Sequence, residues 1–206
     1  VLVPGIIGSE YYLGRMPAAE RAQLFAGVFL AMLGTPTPFG LQHSLEGRSA
    51  LETALARALR ASGAEHRRGE SGTIVINDEY VWEAHGIPTC SLSRYPYPAY
   101  HSSRDDAASI RPEALEQAVA VLEAAVGELE DAAFVTRRFA GVPCLANPEY
   151  DLYVDPGEGV MGNAPGERAR RLRRLMDMLP TLSRPATSRE LAERVGLPET
   201  DVRDYL

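Results

Sequence analysis

The chain contains no lysine. All 21 of its positive charges are arginine, and with alanine abundant this reads as a coding bias rather than an adaptation for phosphate. Against 28 acidic residues the formal net charge is −7, which weighs against general coating of nucleic acid, although a locally basic module stays open. Cysteine is almost as scarce. Cys90 and Cys144 stand alone, with no C-x-x-C pair and no framework, so a reduced, cytoplasmic protein is the default expectation. No apolar run approaches the roughly 18 residues that span a bilayer, and no leader pattern opens the chain, so neither membrane insertion nor secretion is supported. What remains is ordinary soluble composition, 45% apolar and 24% charged over 206 residues, which suits one domain with an appendage.

The candidate chemistry is concentrated between Ser71 and Asp106. Ile74, Val75 and Ile76 follow Gly72 and read as a short buried strand that ends at Asn77, Asp78 and Glu79. Two readings of these carboxylates stay open. Ligands of open α/β sheets bind outside the carboxyl ends of strands, so Asp78 and Glu79 face a cleft; or they sit in a solvated loop with Asp78 as a helix N-cap. After the turn Gly86-Ile87-Pro88, Cys90 to Ser93 read as a second strand. The run Tyr95 to Tyr100 holds two prolines among three tyrosines, which fixes φ, lowers the ordering cost and delivers His101 to a defined place. Ser102 to Asp106 then supply groups that could accept the ring's other N–H, as metal-ligating histidines require. A purely structural His101 is the competing reading.

Elsewhere the periodicities predict support. Val1 to Val3 read as a buried strand, Pro4 to Gly8 as its turn, and Ser9 to Arg15 as a helix capped by Ser9, with Glu10 either a first-turn carboxylate or a catalytic one. Leu24 to Leu33 read as a central strand buried on both faces. Thr35 to Gly47 read as a loop with His43 solvated, and His66 lies in a charge run read as another loop. Amphipathic helices are predicted over Arg48 to Ala61 and from Pro112 through Leu129. Arg137 to Pro156 suggest an irregular hairpin, and residues 157–165 are the linker candidate. Beyond it, an arginine-rich helix from Arg168 to Leu179 precedes Ser188 to Val195, the Gly196 turn and a third helix, in the pattern of a helix-turn-helix. Glu199, Asp201 and Asp204 face a single Arg203 there, a poor match to phosphate, so protein contact is favoured over DNA. Both chain ends fall inside predicted elements, which reads as a portion of a longer protein.

Asn77 to Pro88, NDEYVWEAHGIP, followed by SLSRYPYPAYHSSRDD, resembles the carboxyl-terminal half of the M28-type zinc aminopeptidase fold. More closely, it resembles the DUF4910 aminopeptidase-like branch that carries a winged helix. The resemblance implies an α/β fold with a mostly parallel sheet flanked by helices over residues 1–156, and a small helix-turn-helix or winged-helix module over 166–206. It also implies zinc with His101 as a ligand. Asp105 and Tyr100 would support that ring, Glu79 and Asp78 would be catalytic, and Arg94 would bind substrate. Two departures are already visible. Placing Gly8-Ser9 on the family's Gly-Ser puts Leu2 and Val3 where an acidic pair belongs, and Leu30 to Gly34 puts Ala31 where an aspartate ligand belongs. The leading expectation is a zinc-dependent hydrolase acting on a peptide or amide-type small substrate, with homo-oligomerisation open. The alternatives are a catalytically silent binding or assembly protein of the same fold, and a DNA-binding regulator with an enzyme-like sensor domain.

Overall fold

Three leucines four residues apart behind a serine make a helix start and a buried stripe. In the computed structural model, which describes residues 4–47, 49–141, 167–182 and 185–206, this is α3 (Ala50–Ser62). Ser49 caps it by accepting the Glu52 amide at 3.1 Å, and Gly63 closes it in the left-handed conformation at φ 67°. α5 (Pro112–Glu130) lies against α3 with Ala114, Ala118, Val121 and Ala125 buried. Small side chains at this spacing let the two backbones approach closely. Arg57 Nε donates to Glu128 at 3.0 Å across the seam, and its Nη2 donates to the other carboxylate oxygen. The remaining helices of this part are α1 (Ile7–Arg15), α2 (Ala18–Arg21) and α4 (Glu79–Ala84).

The chain divides into two compact units, residues 1–130 and 131–206. The first is built on β1 (Gly27–Ala31), β2 (Phe39–Gln42), β3 (His66–Gly69) and β4 (Thr89–Arg94), in the order β1-β4-β2-β3. β1 runs parallel to β4 and β2 parallel to β3, but β2 and β4 are antiparallel, with Phe39 opposite Arg94 and Gln42 opposite Ser91. The sheet is therefore mixed, not mostly parallel. Phe39, Leu41, Cys90 and Leu92 pack with Leu55, Leu59 and Val121 into the main core. Burial pushes the Cys90 thiol up, so it serves as a small apolar side chain.

Several sequence expectations change here. The Leu24 to Leu33 run forms β1 at a margin of the sheet among the described residues, with Leu24, Phe25 and Leu30 exposed, rather than a central strand. Within Thr35 to Gly47, β2 is a fully buried strand instead of a loop; alternation of Phe39 and Leu41 with Gly40 and Gln42 outweighs the neighbouring prolines. His66 opens β3 rather than lying in a loop. Ser9 lies inside α1, which starts at Ile7, so it is not the cap. The expected strand at Val1 to Val3 lies outside the described residues.

Ile74 to Ile76 do not form a strand either. Their backbone is met by a side chain. Gln42, 1% exposed, accepts from the amides of Ile74 at 2.8 Å and Val75 at 3.2 Å and donates to the Val75 carbonyl at 2.9 Å. Gly40 and Gly69 let this segment lie close: a Cβ on Gly69 would fall 2.5 Å from Thr73 Oγ1 and one on Gly40 3.2 Å from Ile74 Cδ1. A β-strand ladder is thus replaced by one carboxamide that satisfies three partly buried backbone groups.

The second unit contains β5 (Phe134–Val135), α6 (Glu167–Met178), β6 (Ala186–Thr187), α7 (Ser188–Val195) and α8 (Glu199–Tyr205). Leu172, Leu175, Leu191, Val195 and Val202 form its core. Thr187 caps α7 by accepting the Glu190 amide at 3.0 Å, and Gly196 ends it at φ 70°. β5 and β6 are antiparallel and far apart in sequence. Among the described residues no wing hairpin is seen, and the expected linker lies outside them, as does most of the expected hairpin. No helix among the described residues is long and apolar enough to cross a membrane.

If Gln42 carries the Ile74–Val75 segment, Gln42→Leu leaves two partly buried amides and a carbonyl without this partner. The expected loss is on the order of 2–4 kcal/mol, read as a lower denaturant midpoint. A loss under about 1 kcal/mol would show that the segment finds other partners.

Candidate functional site

Two ends of the first unit's sheet carry polar side chains, and they differ in what those side chains do. At the end where β2 finishes and β4 begins, carboxylates hold the backbone. Glu79, 4% exposed, accepts from Gln42 Nε2 at 3.2 Å and from the Asn77 amide at 3.1 Å. Glu83 accepts from the amides of Thr89 at 2.7 Å and Leu45 at 3.2 Å. Burial raises the pKa of both, and the charges of Glu46 and Glu52 add to the effect at Glu83. Asp78 accepts from the Ile6 amide at 2.6 Å and from the Ser9 hydroxyl, holding Ile6 at φ 61°. It occupies the N-cap position of α4, yet its side chain does not cap that helix. Both carboxylates accept from the chain itself, and the second oxygen of Glu79, Oε2, is buried without a partner.

The same end holds a pairing that the sequence did not reveal. His43 Nδ1 meets Glu52 Oε1, while the other Glu52 oxygen accepts from the Ser44 amide at 3.2 Å and the Ser44 hydroxyl at 2.9 Å. His43 is therefore largely enclosed, with its side chain 14% exposed, rather than solvated. Glu52 stands three residues after the Ser49 cap, where a capping-box glutamate is expected. That spacing is the one signal available, and the side chain turns to His43 instead. Glu10 pairs with His85 Nε2 at 3.0 Å, and Arg21 meets the Nδ1 of the same ring at 3.2 Å.

At the opposite end β1 and β4 finish side by side, which is where ligands of α/β sheets lie. Arg94, the last residue of β4, is 5% exposed. Its Nη1 donates to the Thr37 carbonyl and its Nη2 to Gln117 Oε1, both at 2.5 Å, and its guanidinium lies 3.7 Å over the Phe39 ring. The Tyr95 to Tyr100 loop is braced as its composition predicts. Arg67 donates to the Tyr95 carbonyl at 2.8 Å, and the Tyr97 hydroxyl donates to Asp105 at 2.5 Å and meets Ser109 at 2.9 Å. His101 is exposed, at φ 55°, with its ring stacked on Tyr100 at 3.8 Å. Asp105 therefore serves Tyr97 rather than His101.

The structure does not bring Asp78 and Glu79 to His101. The expectation assumed parallel strands at 74–76 and 90–93, whose carboxyl ends share one edge. With β2 antiparallel to β4, Glu79 sits beside Gln42 at the start of β4, and His101 follows its end. Traversing the six residues of β4 takes roughly 17 Å at about 3.3 Å per residue. Among the described residues no group of three or more His, Cys, Asp or Glu is arranged to hold a metal ion. Ala31, which ends β1, offers no donor. The described residues do not fit a zinc centre.

A family model described as "Domain of unknown function (DUF4910)" matches residues 1–132. No curated protein matches the chain. An aminopeptidase from Aneurinibacillus sp. strain AM-1 is similar at 22% identity and a TM-score of 0.52, over 60% of this chain and 30% of that one. A candidate peptidase from Clostridium acetobutylicum is similar at 16% identity and a TM-score of 0.59, over 98% of this chain and 44% of that one. A zinc aminopeptidase from Bacillus subtilis is similar at 22% identity and a TM-score of 0.50, over 61% and 33%. These likenesses establish the fold, and the chain spans between 30% and 44% of the length of those proteins.

Glu79 yields a pH test. Its folded pKa is raised above the ordinary 4.5 by burial, so its contribution to stability is full below that value and is lost as pH rises through the raised one. Glu79→Gln keeps an acceptor for Gln42 and Asn77 and removes the ionisation. The variant should gain stability relative to the native chain as pH climbs above 4.5, in denaturation curves taken across that range. Parallel curves for the two proteins would show that the carboxyl group is not desolvated.

Proposed function

Because the chain belongs to the DUF4910 family, we propose that it is a peptidase-like protein of the aminopeptidase fold that takes a peptide or amide-type small ligand where β1 and β4 end, and that its described residues bind this ligand without zinc-assisted hydrolysis. The observation that carries the reading is the set of side chains at that edge. Where the M28 resemblance calls for an aspartate there is Ala31, and the groups at that end include a buried guanidinium and an exposed Tyr100–His101 stack on a braced loop. Such a set offers hydrogen-bond donors and a flat aromatic surface, the equipment of recognition. Asp78 and Glu79 belong to the scaffold in this reading, and cytoplasmic residence goes with it.

Zinc-dependent hydrolysis is the second reading, favoured by the likeness to the Bacillus subtilis zinc aminopeptidase. It requires donors beyond the described residues, since a catalytic zinc takes three protein ligands. The two readings part on metal content. Purified chain dialysed against zinc is expected to retain it below stoichiometry and to leave an aminoacyl p-nitroanilide uncleaved. Chelator-resistant zinc at one per chain, lost in His101→Ala, would establish the second reading instead.

For the second unit we propose protein contact, with a partner or a second copy of the chain, through the α7–α8 pair. Glu199 accepts from the Ser188 hydroxyl at 2.6 Å and neutralises Arg189 and Arg203 at 3.1 and 2.9 Å, which holds its carboxyl group down at about 2. Those two arginines are thereby withdrawn from any phosphate. Titration of the chain with mixed-sequence duplex at low salt is expected to show no tight binding. Affinity that falls steeply with added salt would make the winged-helix, DNA-binding reading the better one.

A further inference from the structure

A buried cation calls for a countercharge, because taking it out of water costs several kcal/mol. The first unit shows how it meets that need elsewhere: Arg57, with its side chain 21% exposed, is held by both oxygens of Glu128. Arg94 is more deeply buried, at 5% exposure, and yet its partners are the Thr37 carbonyl, the Gln117 amide and the face of Phe39, all of them neutral. Its Nε is buried without any partner. We propose that Arg94 recognises a carboxylate, so that the ligand assigned above is a short peptide or amino-acid derivative bearing a free carboxyl group. This rests on the ligand reading of the edge where β1 and β4 end.

The geometry of the guanidinium specifies the class. Nε and Nη2 form one edge of a planar fork that a carboxylate meets with two parallel hydrogen bonds. Gln117 Oε1 is a single acceptor and takes Nη2 alone, which leaves Nε as the orphan. Gln117 is exposed on α5, so its amide is a neutral stand-in on a side chain that can swing into solvent. When it does, the fork opens at the end of the sheet where the Tyr95 to His101 loop begins. A carboxylate there supplies both the missing acceptor and the missing charge. Thr35, 4% exposed, joins its hydroxyl to that of Thr37 at 3.1 Å beside the same guanidinium, fixing the turn whose carbonyl holds Nη1.

The test compares N-acetyl-alanyl-alanine with its carboxamide by calorimetric titration of the full chain. The free acid is expected to bind at least about tenfold more tightly than the amide, a difference of about 1.4 kcal/mol. Equal binding of acid and amide would overturn the assignment to Arg94 and leave the ligand reading standing; binding of neither would overturn both. Arg94→Lys keeps charge without the fork and should lose the preference for the acid. Because a variant at a buried arginine can misfold, Gln117→Glu provides the second arm. It places a carboxylate of the chain itself on the fork, and is expected to raise the melting temperature while weakening the acid at least about tenfold. A purely structural Arg94 would give the higher melting temperature with acid binding unchanged, which would sink the proposal.

Discussion

One buried carboxamide decides how the first unit is put together. Gln42 sits on a central strand, and its two functional atoms are shared among the backbone of Ile74 and Val75 and the carboxyl group of Glu79. Polar backbone enclosed away from water must be paired, and here it is paired by a side chain rather than by a strand neighbour. Glu79 in turn fixes the start of α4, where Asp78 ties the turn before α1. A line of hydrogen bonds therefore runs from the sheet through Glu79 and Asp78 into α4 and α1.

This explains which parts were legible in the sequence. Helices α3 and α7 announce themselves through apolar spacing, a serine or threonine cap and a closing glycine, and α5 through apolar spacing behind Pro112, all of which are local. β4 follows from the short stretch Cys90 to Ser93 after a Gly-Ile-Pro turn. What failed was whatever depends on partners distant in the chain. Ile74 to Ile76 have strand composition, but their hydrogen bonds go to a residue more than thirty positions earlier. β2 hides among turn formers because its burial comes from both neighbouring strands. The relative direction of β2 and β4 has no local signature, and it is what sends Glu79 and His101 to different ends of the sheet.

The separation gives the two ends different characters. Where β2 ends, acidic side chains accept hydrogen bonds from the chain itself. Where β1 and β4 end, the cation and the aromatic stack are less completely answered by the chain. The chain thus has a fold similar to that of zinc aminopeptidases, and among its described residues no group of three or more His, Cys, Asp or Glu is arranged to hold a metal ion. Membership of the DUF4910 family and the fold likeness agree on the scaffold, while the chemistry has to be read from the side chains themselves.

The two margins of the sheet are also unlike each other. β3 presents Arg67 and Arg68 outward, and like charges repel a second basic strand laid alongside. β1, Gly27 to Ala31, has no charged residue at all, and Leu30 stands exposed on it. Among the described residues, an extended segment laid alongside this sheet would therefore meet charge at β3 and an apolar flank at β1.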